Sequence, residues 1–214
     1  MEYDLIYPER ESEMLEASCI VAAVYFSNEE LLEIGVDRDA VELEDAFVDL
    51  NEFEKAFALW ESPLYLSDFY DRFKAFLEQE YWTGVTEEIF LRDVALSIRR
   101  NRDELFSKME DDSFPTLVEP LSDLDEERRL YDSIRVKVKQ GTIGGRYPFR
   151  FYAIEVEENK CYVITGAAIK VHKDMKKAPN TILELEKLRR VYEELDTQGV
   201  KTKDAFINYL QGKE

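Results

Sequence analysis

The sequence predicts an α+β fold: a helical N-terminal region followed by a small antiparallel sheet of three or more strands with one or two C-terminal helices. Apolar residues recur at three- and four-residue steps over much of 43–110 and at alternate positions over 133–139 and, less cleanly, 149–156. Between these parts, DDSFPTLVEPL has prolines and no periodicity. We therefore predict an acidic helical region over 1–120 and an α+β sheet domain over 121–214, with one compact unit as the alternative.

The N-terminal region is predicted to be mainly helical. The apolar run over 15–26 fits a buried helix or a buried strand, since so short a run has no diagnostic period. Residues 43–60 predict an amphipathic helix that breaks at Ser62-Pro63. Ser67 is the predicted N-cap of the next helix, and Thr86 opens a third with acids in its first turn.

The predicted sheet begins where the period changes to two. SIRVKVK (133–139) predicts a half-buried strand with a basic outer face. Residues 149–156 are apolar on both faces and predict a central strand, joined by a turn at 157–160 to a strand that starts at Cys161. We expect a bulge at Thr165-Gly166 in this last strand.

The chain is predicted to close with two helices. Asn180 or Thr181 is expected to cap the first, and Gly199 to end it as a C′ glycine. KDAFINYLQ (203–211) predicts a short second amphipathic helix.

Charge is divided unequally along the chain. The net charge is −19; residues 1–132 hold 12 Lys and Arg against 36 Asp and Glu, a net of −24, and residues 133–214 hold 16 against 11, a net of +5. The start MEYDLIYPERESE has no signal-peptide pattern and no apolar run reaches membrane-spanning length, so we predict a soluble cytoplasmic protein without a membrane partner. Cys19 and Cys161 are predicted to be buried, reduced thiols.

Motifs of several enzyme classes are missing from the sequence. It has no phosphate-binding glycine loop, no nucleophile elbow and no metalloprotease helix motif; GTIGG at 141–145 is interpreted as a hairpin loop. With one histidine and no metal-ligand spacing, we predict no metal and no cofactor. Helix-face acids that include Glu52 and Asp68 are interpreted as solvated.

Basic residues concentrate on the predicted sheet. They include Arg135, Lys137, Lys139, Arg146, Arg150, Lys170, His172, Lys173, Lys176 and Lys177. Because the end of a third antiparallel strand lies near the start of the second, Arg150, Tyr152, Lys170, His172 and Lys173 are expected to converge. Such a cluster suits an RNA backbone, with Tyr147 or Tyr152 available for stacking. The alternative is a solvated basic face that pairs with the acidic half.

The order of FRFYAIEV, a turn, CYVITGAAIK, a lysine cluster, Ala-Pro and a capped amphipathic helix resembles the core of the RelE/ParE toxin superfamily, most closely its HigB-type, phage-associated branch. The matching positions, within about 135–198, are Arg150, Tyr152, Val163-Ile164, Lys170, Lys173, Lys176-Lys177, Pro179 and Glu184-Leu185. The resemblance implies a metal-independent mRNA endoribonuclease, often acting at the ribosome, with Arg150, Lys170 and Lys173 as its catalytic residues.

Three functions are consistent with these patterns. The first is a non-enzymatic binding or interaction protein with a protein partner. The second is the toxin-like RNA-cleaving domain, masked by the acidic N-terminal extension. The third is an acidic mimic of nucleic acid, since a dense negative surface imitates phosphates.

Overall fold

The computed structural model describes residues 1–36, 47, 49–78, 82, 84–121, 134–140, 149–172 and 177–212, and for 134–140 the backbone alone. Its strands are β1 (Glu2–Tyr7), β2 (Ile20–Tyr25), β3 (Val118–Pro120), β4 (Ile134–Gln140), β5 (Phe149–Glu157) and β6 (Cys161–Ile169). Its helices are α1 (Asn28–Glu33), α2 (Glu52–Glu61), α3 (Pro63–Leu77), α4 (Glu87–Glu110), α5 (Pro179–Thr197) and α6 (Lys203–Gln211). Within this part of the chain, no helix has the length and apolar character to cross a membrane.

The strands of the described residues form one sheet in the order β1-β2-β6-β5-β4-β3. Neighbouring strands are antiparallel, except that β2 and β6 run parallel. The α+β class is confirmed in this broad sense. The finer prediction, an antiparallel sheet confined to the C-terminal half, is wrong, because the sheet is mixed and includes two strands from the first 25 residues.

The N-terminal strands lie in a region predicted to be mainly helical, and β2 takes the strand alternative that was left open for 15–26. β2, with the sequence IVAAVY, lies between β1 and β6 and is buried along almost its whole length. A strand covered on both faces has a continuous apolar run instead of an alternating one, so its sequence does not distinguish it from a buried helix. The sheet consequently crosses the boundary predicted near residue 120.

Helices cover both faces of the sheet. One face packs against α2, α3 and α4, and its core includes Val21, Phe151 and Tyr162. The other face packs against α1, α5 and α6, and its core includes Ile154 and Val163. Because successive strand residues point to opposite faces, β5 and β6 supply both cores. The arrangement is a helix–sheet–helix sandwich.

The start of α2 is set by Asn51. Its side-chain oxygen accepts from the backbone N–H groups of Phe53 (3.1 Å) and Glu54 (2.9 Å), the bonding pattern of a helix N-cap. The helix predicted over 43–60 therefore begins at Glu52. Residues 37–46 and 48 lie outside the described residues.

Two predicted caps are wrong. The N-cap of α3 is Ser62, whose hydroxyl accepts from Tyr65 N–H (3.3 Å), with proline in the first helical position. Ser67, the predicted cap, instead donates to Glu87 Oε1 at 2.7 Å. The N-cap of α5 is Ala178, because Pro179 takes the first helical position there too.

Neither predicted cap of α5 lies at its N-cap position. The Thr181 hydroxyl donates to the carbonyl of Ala178 (3.0 Å), and the amide of Asn180 donates to the carbonyl of Ile169 (2.8 Å). This second bond ties the start of α5 to the end of β6.

Other local predictions are confirmed. Thr86 accepts from Ile89 N–H (3.4 Å) at the start of α4, and Gly199 follows α5 with a φ of 68°. β5 lies between β4 and β6 and is central. A turn at 157–160 joins β5 to β6.

The predicted bulge in β6 is confirmed. Tyr152 pairs with Gly166 and Ala153 pairs with Ile164, so Thr165 is the extra residue. The bulge reverses the facing of the strand: Ile164 lies in one core before it and Ala168 lies in the other core after it. After the bulge, each side chain of β6 therefore points to the face of the sheet opposite to the one that simple alternation along the strand would give.

Candidate functional site

Several residues predicted to bind RNA fall where the structure gives no side-chain placement. Arg146, Lys173 and Lys176 lie outside the described residues, and Arg135 and Lys137 belong to β4, of which only the backbone is described. The predictions for these five residues stay predictions.

The other members of the predicted basic cluster are not brought together on one exposed surface. Arg150 is 6% exposed and donates to the carbonyl of Phe149 at 2.8 Å, and the side chain of Tyr152 is fully buried under α5 and α6. The stacking role predicted for Tyr152 requires an exposed ring. The register does place the end of β6 beside the start of β5, as expected, with Arg150 opposite Ala168.

The residues that follow β6 lie against the helix layer formed by α2, α3 and α4. The ring of His172 lies edge-on to Phe76 of α3, with 6.2 Å between centroids. The carbonyl of Lys170 accepts from the indole N–H of Trp82 at 2.8 Å, and Lys177 is exposed. The side chains of His172 and Arg150 thus belong to opposite faces of the sheet.

The described residues instead contain a buried charge cluster of two acids and two bases. We call Glu52, Lys55, Glu184 and Lys187 the charge cluster; their exposed fractions are 4%, 5%, 4% and 5%. The ammonium of Lys187 lies 2.6 Å from Glu52 Oε2 and 3.2 Å from Glu184 Oε1. Lys55 Nζ lies 3.7 Å from Glu52 Oε1. The four charges alternate in sign, so each one has an opposite charge as its neighbour.

The sheet opens where the charge cluster lies. The parallel pairing of β2 with β6 covers Ile20–Ala23 and Cys161–Ile164, and beyond the bulge β6 pairs with β5 alone among the described strands. α2 brings Glu52 and Lys55 from one helix layer, and α5 brings Glu184 and Lys187 from the other.

Gly166 allows α5 to come this close to β6. A Cβ atom at this position would lie 1.7 Å from Glu184 Oε2, well inside contact distance. The absence of a side chain therefore lets the Glu184 carboxylate lie directly on the strand.

The charge cluster lines an open cleft of about 390 Å³. We call it the α2–α5 cleft. Its walls come from α2, α3, α5 and the end of β6. The lining residues outside the charge cluster include Ala56, Trp60, Tyr65, Phe69, Phe73, Ala167, Ala168, Ile169, Asn180 and Leu183.

Most of the cleft wall is apolar. Trp60, Phe69 and Phe73 are part of the sheet core and also line the cleft. At the rim, Arg72 pairs with Asp68 (2.8 Å) on α3, and both side chains are about half exposed. An apolar wall with a few charged groups at defined places is the usual make-up of a small-molecule site.

The prediction that Glu52 lies on a solvated helix face is wrong, and the cleft itself was not predicted from the sequence. One signal was available. The tetrapeptides EFEK (52–55) and ELEK (184–187) have the same pattern, and in each the first acid and the lysine share one helix face. Only the tertiary structure turns these two faces toward each other.

Thiol and metal chemistry have little support among the described residues. Both cysteines are free and buried, as predicted. Burial raises the pKa of Cys19 to about 12 and also raises the pKa of Cys161, so neither is a thiolate at neutral pH. The described His, Cys, Asp and Glu side chains form no group of three or more that suits a metal ion.

Comparison with protein-family models, with curated proteins and with solved structures finds no significant match. Any functional inference for this chain rests on the geometry of the α2–α5 cleft.

Proposed function

We propose that the protein is a binding protein that holds a small organic molecule in the α2–α5 cleft. The observation that carries the proposal is the charge cluster: four charged side chains, each at least nine-tenths buried, line an open cleft. Removing a charged side chain from water costs on the order of several kcal/mol. Well-packed apolar residues at the same place often stabilise a fold as well as a buried ion pair does. Charges kept at such a cost are therefore candidates for recognition.

The size and wall of the cleft support the same proposal. A volume of about 390 Å³ lies in the range of about 300–1,000 Å³ that small-molecule sites occupy. The aromatic side chains of Trp60, Phe69 and Phe73 offer an apolar contact surface. Burial of a ligand's apolar body against them supplies affinity, and the charge cluster supplies orientation.

RNA cleavage by the predicted basic residues is supported less well. It needs Arg150, Lys170 and Lys173 on one accessible surface. Arg150 is 6% exposed, and its neighbour Tyr152 is fully buried.

The test is a binding measurement by protein NMR on the full chain. The probes are a mixture of aromatic and branched aliphatic carboxylic acids, amines and amino acids. We expect amide shifts that cluster around the cleft, at Leu59, Ala168 and Leu183. The variant Ala167→Met, which extends a side chain into the cleft, should weaken binding about tenfold or more, because it removes the space for a ligand.

The matched control is Ala95→Met, which places the same side chain on the exposed face of α4. It should leave binding unchanged. The proposal is overturned if no probe shifts cleft amides, or if Ala167→Met binds the probes as tightly as the Ala95→Met control.

A further inference from the structure

We infer that the ligand class of the α2–α5 cleft is a zwitterion with an apolar body, as in an α-amino acid with a large apolar side chain. The inference rests on the proposed binding function and adds the chemistry of the ligand. It follows from the charge balance of the cleft, the order of its charges and the nature of its walls.

The charge cluster is balanced, with Glu52 and Glu184 against Lys55 and Lys187. A ligand with a single charge would leave this buried group with a net charge of one. Uncompensated charge in a buried site is costly because no water screens it. A zwitterion adds no net charge, so a cluster of this composition favours it over an acid or an amine of the same shape.

The order of the charges suits two opposite ligand groups at once. Lys187 lies between Glu52 and Glu184, at 2.6 Å and 3.2 Å, and Glu52 lies between Lys187 and Lys55. A ligand ammonium would donate to the carboxylates of the charge cluster, which also accept from its lysines. A ligand carboxylate would accept from the lysines of the cluster, which also donate to its acids. Both ligand contacts would be charge-assisted hydrogen bonds.

The remaining wall selects the apolar body. Phe69 and Phe73 of α3, Ala167 of β6 and Leu183 of α5 all line the cleft. A phenyl or branched aliphatic group fits against such surfaces, since aromatic rings and small aliphatic groups pack closely with it. At the rim, the Asp68–Arg72 pair again presents both signs of charge.

The experiment compares L-phenylalanine with three probes that each lack one of its groups. L-phenylalanine carries both charges, 3-phenylpropanoate only the negative one and 2-phenylethylamine only the positive one; L-alanine keeps both charges without the ring. Each is titrated into the full chain at pH 7 and followed by NMR shifts at the cleft. We expect L-phenylalanine to bind about tenfold or more tightly than each of the other three, because each lacks one contact.

A variant reports on the carboxylate contact. Lys55→Met should weaken the binding of L-phenylalanine and 3-phenylpropanoate but not that of 2-phenylethylamine. The control variant Lys74→Met, on the exposed side of α3, should leave the affinity for all three probes unchanged. Circular dichroism checks the fold of both variants. If Lys55→Met does not fold, the ranking of the four probes on the unaltered protein still decides.

The outcomes separate this inference from the proposed function. If 3-phenylpropanoate or 2-phenylethylamine shifts the cleft amides and binds as tightly as L-phenylalanine, the zwitterion class is overturned and the binding function stands. If no probe, including the broader mixture, shifts the cleft amides, both are overturned. A ranking led by L-phenylalanine supports both.

Discussion

Lys187 of α5 donates to Glu52 of α2 with 2.6 Å between Nζ and Oε2, although the two residues are 135 positions apart and belong to helices on opposite faces of the sheet. The contact passes through the opening between β2 and the end of β6. It joins the two helix layers at the place where the sheet does not separate them. The charged wall of the cleft therefore also connects the two helix layers.

Removing the central base of the cluster should destabilise the protein strongly. Lys187→Met leaves Glu52 and Glu184 buried with like charges and without their common partner. Breaking a buried pair from one side costs about 3–5 kcal/mol of unfolding free energy. Urea unfolding at pH 7, followed by circular dichroism, measures this loss.

The matched control is Lys201→Met. Lys201 pairs with Asp196 at 3.4 Å, and both side chains are about half exposed. Exposed pairs contribute about 0–1 kcal/mol, so this variant should lie close to the unaltered protein. Equal losses of unfolding free energy for Lys187→Met and Lys201→Met would contradict the conclusion that the charge cluster is shielded from water.

Gly166 should be intolerant of even one methyl group. Gly166→Ala would place a Cβ atom 1.7 Å from Glu184 Oε2, so the carboxylate must leave its contact with Lys187. We expect a loss of about 1–3 kcal/mol in unfolding free energy, the range for overpacked sites. Chemical unfolding of the variant provides the value.

A double-mutant cycle identifies the cause of that loss. In a Glu184→Ala background the carboxylate is gone, so adding Gly166→Ala should cost clearly less than it does in the unaltered protein. If the cost is the same in both backgrounds, the strain does not come from the contact with Glu184.

The sequence predicted the local elements better than their assembly. The hairpin from β5 to β6, the bulge at Thr165 and the helix start at Thr86 depend on neighbouring residues and were predicted correctly. The pairing of β2 with β6 depends on residues about 140 positions apart, and a buried parallel strand has no alternating pattern that would indicate it.

The candidate site could not be predicted from the sequence for a related reason. Each of the EFEK and ELEK segments, on its own helix, looks like an ordinary solvated i,i+3 pair. Burial of Glu52 and Lys187 results from the meeting of two helices around an opening in the sheet. Conversely, Arg150 was predicted to join a basic cluster that binds RNA, although it is buried in a central strand that helices cover on both faces.

Both thiols should be unreactive in the native protein. Cys19 is 2% exposed and Cys161 is fully buried, and burial raises the pKa of Cys19 to about 12. A thiol reacts through its thiolate, so few reactive groups exist at pH 8. Ellman's reagent should react at least about 100-fold more slowly with the native protein than with the urea-unfolded chain. A fast-reacting thiol in the native state would contradict this placement.

The turn between β5 and β6 should contribute stability that depends on pH. Glu157 accepts from the ammonium of Lys160 and from the backbone N–H of Lys203 at the start of α6 (2.8 Å), and these bonds lower its pKa from the ordinary value of 4.5. A group whose pKa is lower in the folded state stabilises that state above its unfolded pKa and loses the contribution as pH falls through the folded value. Glu157→Gln should therefore cost about 1 kcal/mol at pH 7, as expected for a partly exposed charged hydrogen bond.

This cost should shrink toward zero in acid, below the folded pKa of Glu157, where the unaltered carboxyl is protonated as well. Urea unfolding of both proteins at pH 7 and in the acid range measures the change. Glu158→Gln, at the exposed neighbouring position of the same turn, should stay within about 0.5 kcal/mol of the unaltered protein at both pH values. A Glu157→Gln loss of the same size at both pH values would show that the side chain acts through its shape in the turn, because a charge effect must disappear once the carboxyl is neutral.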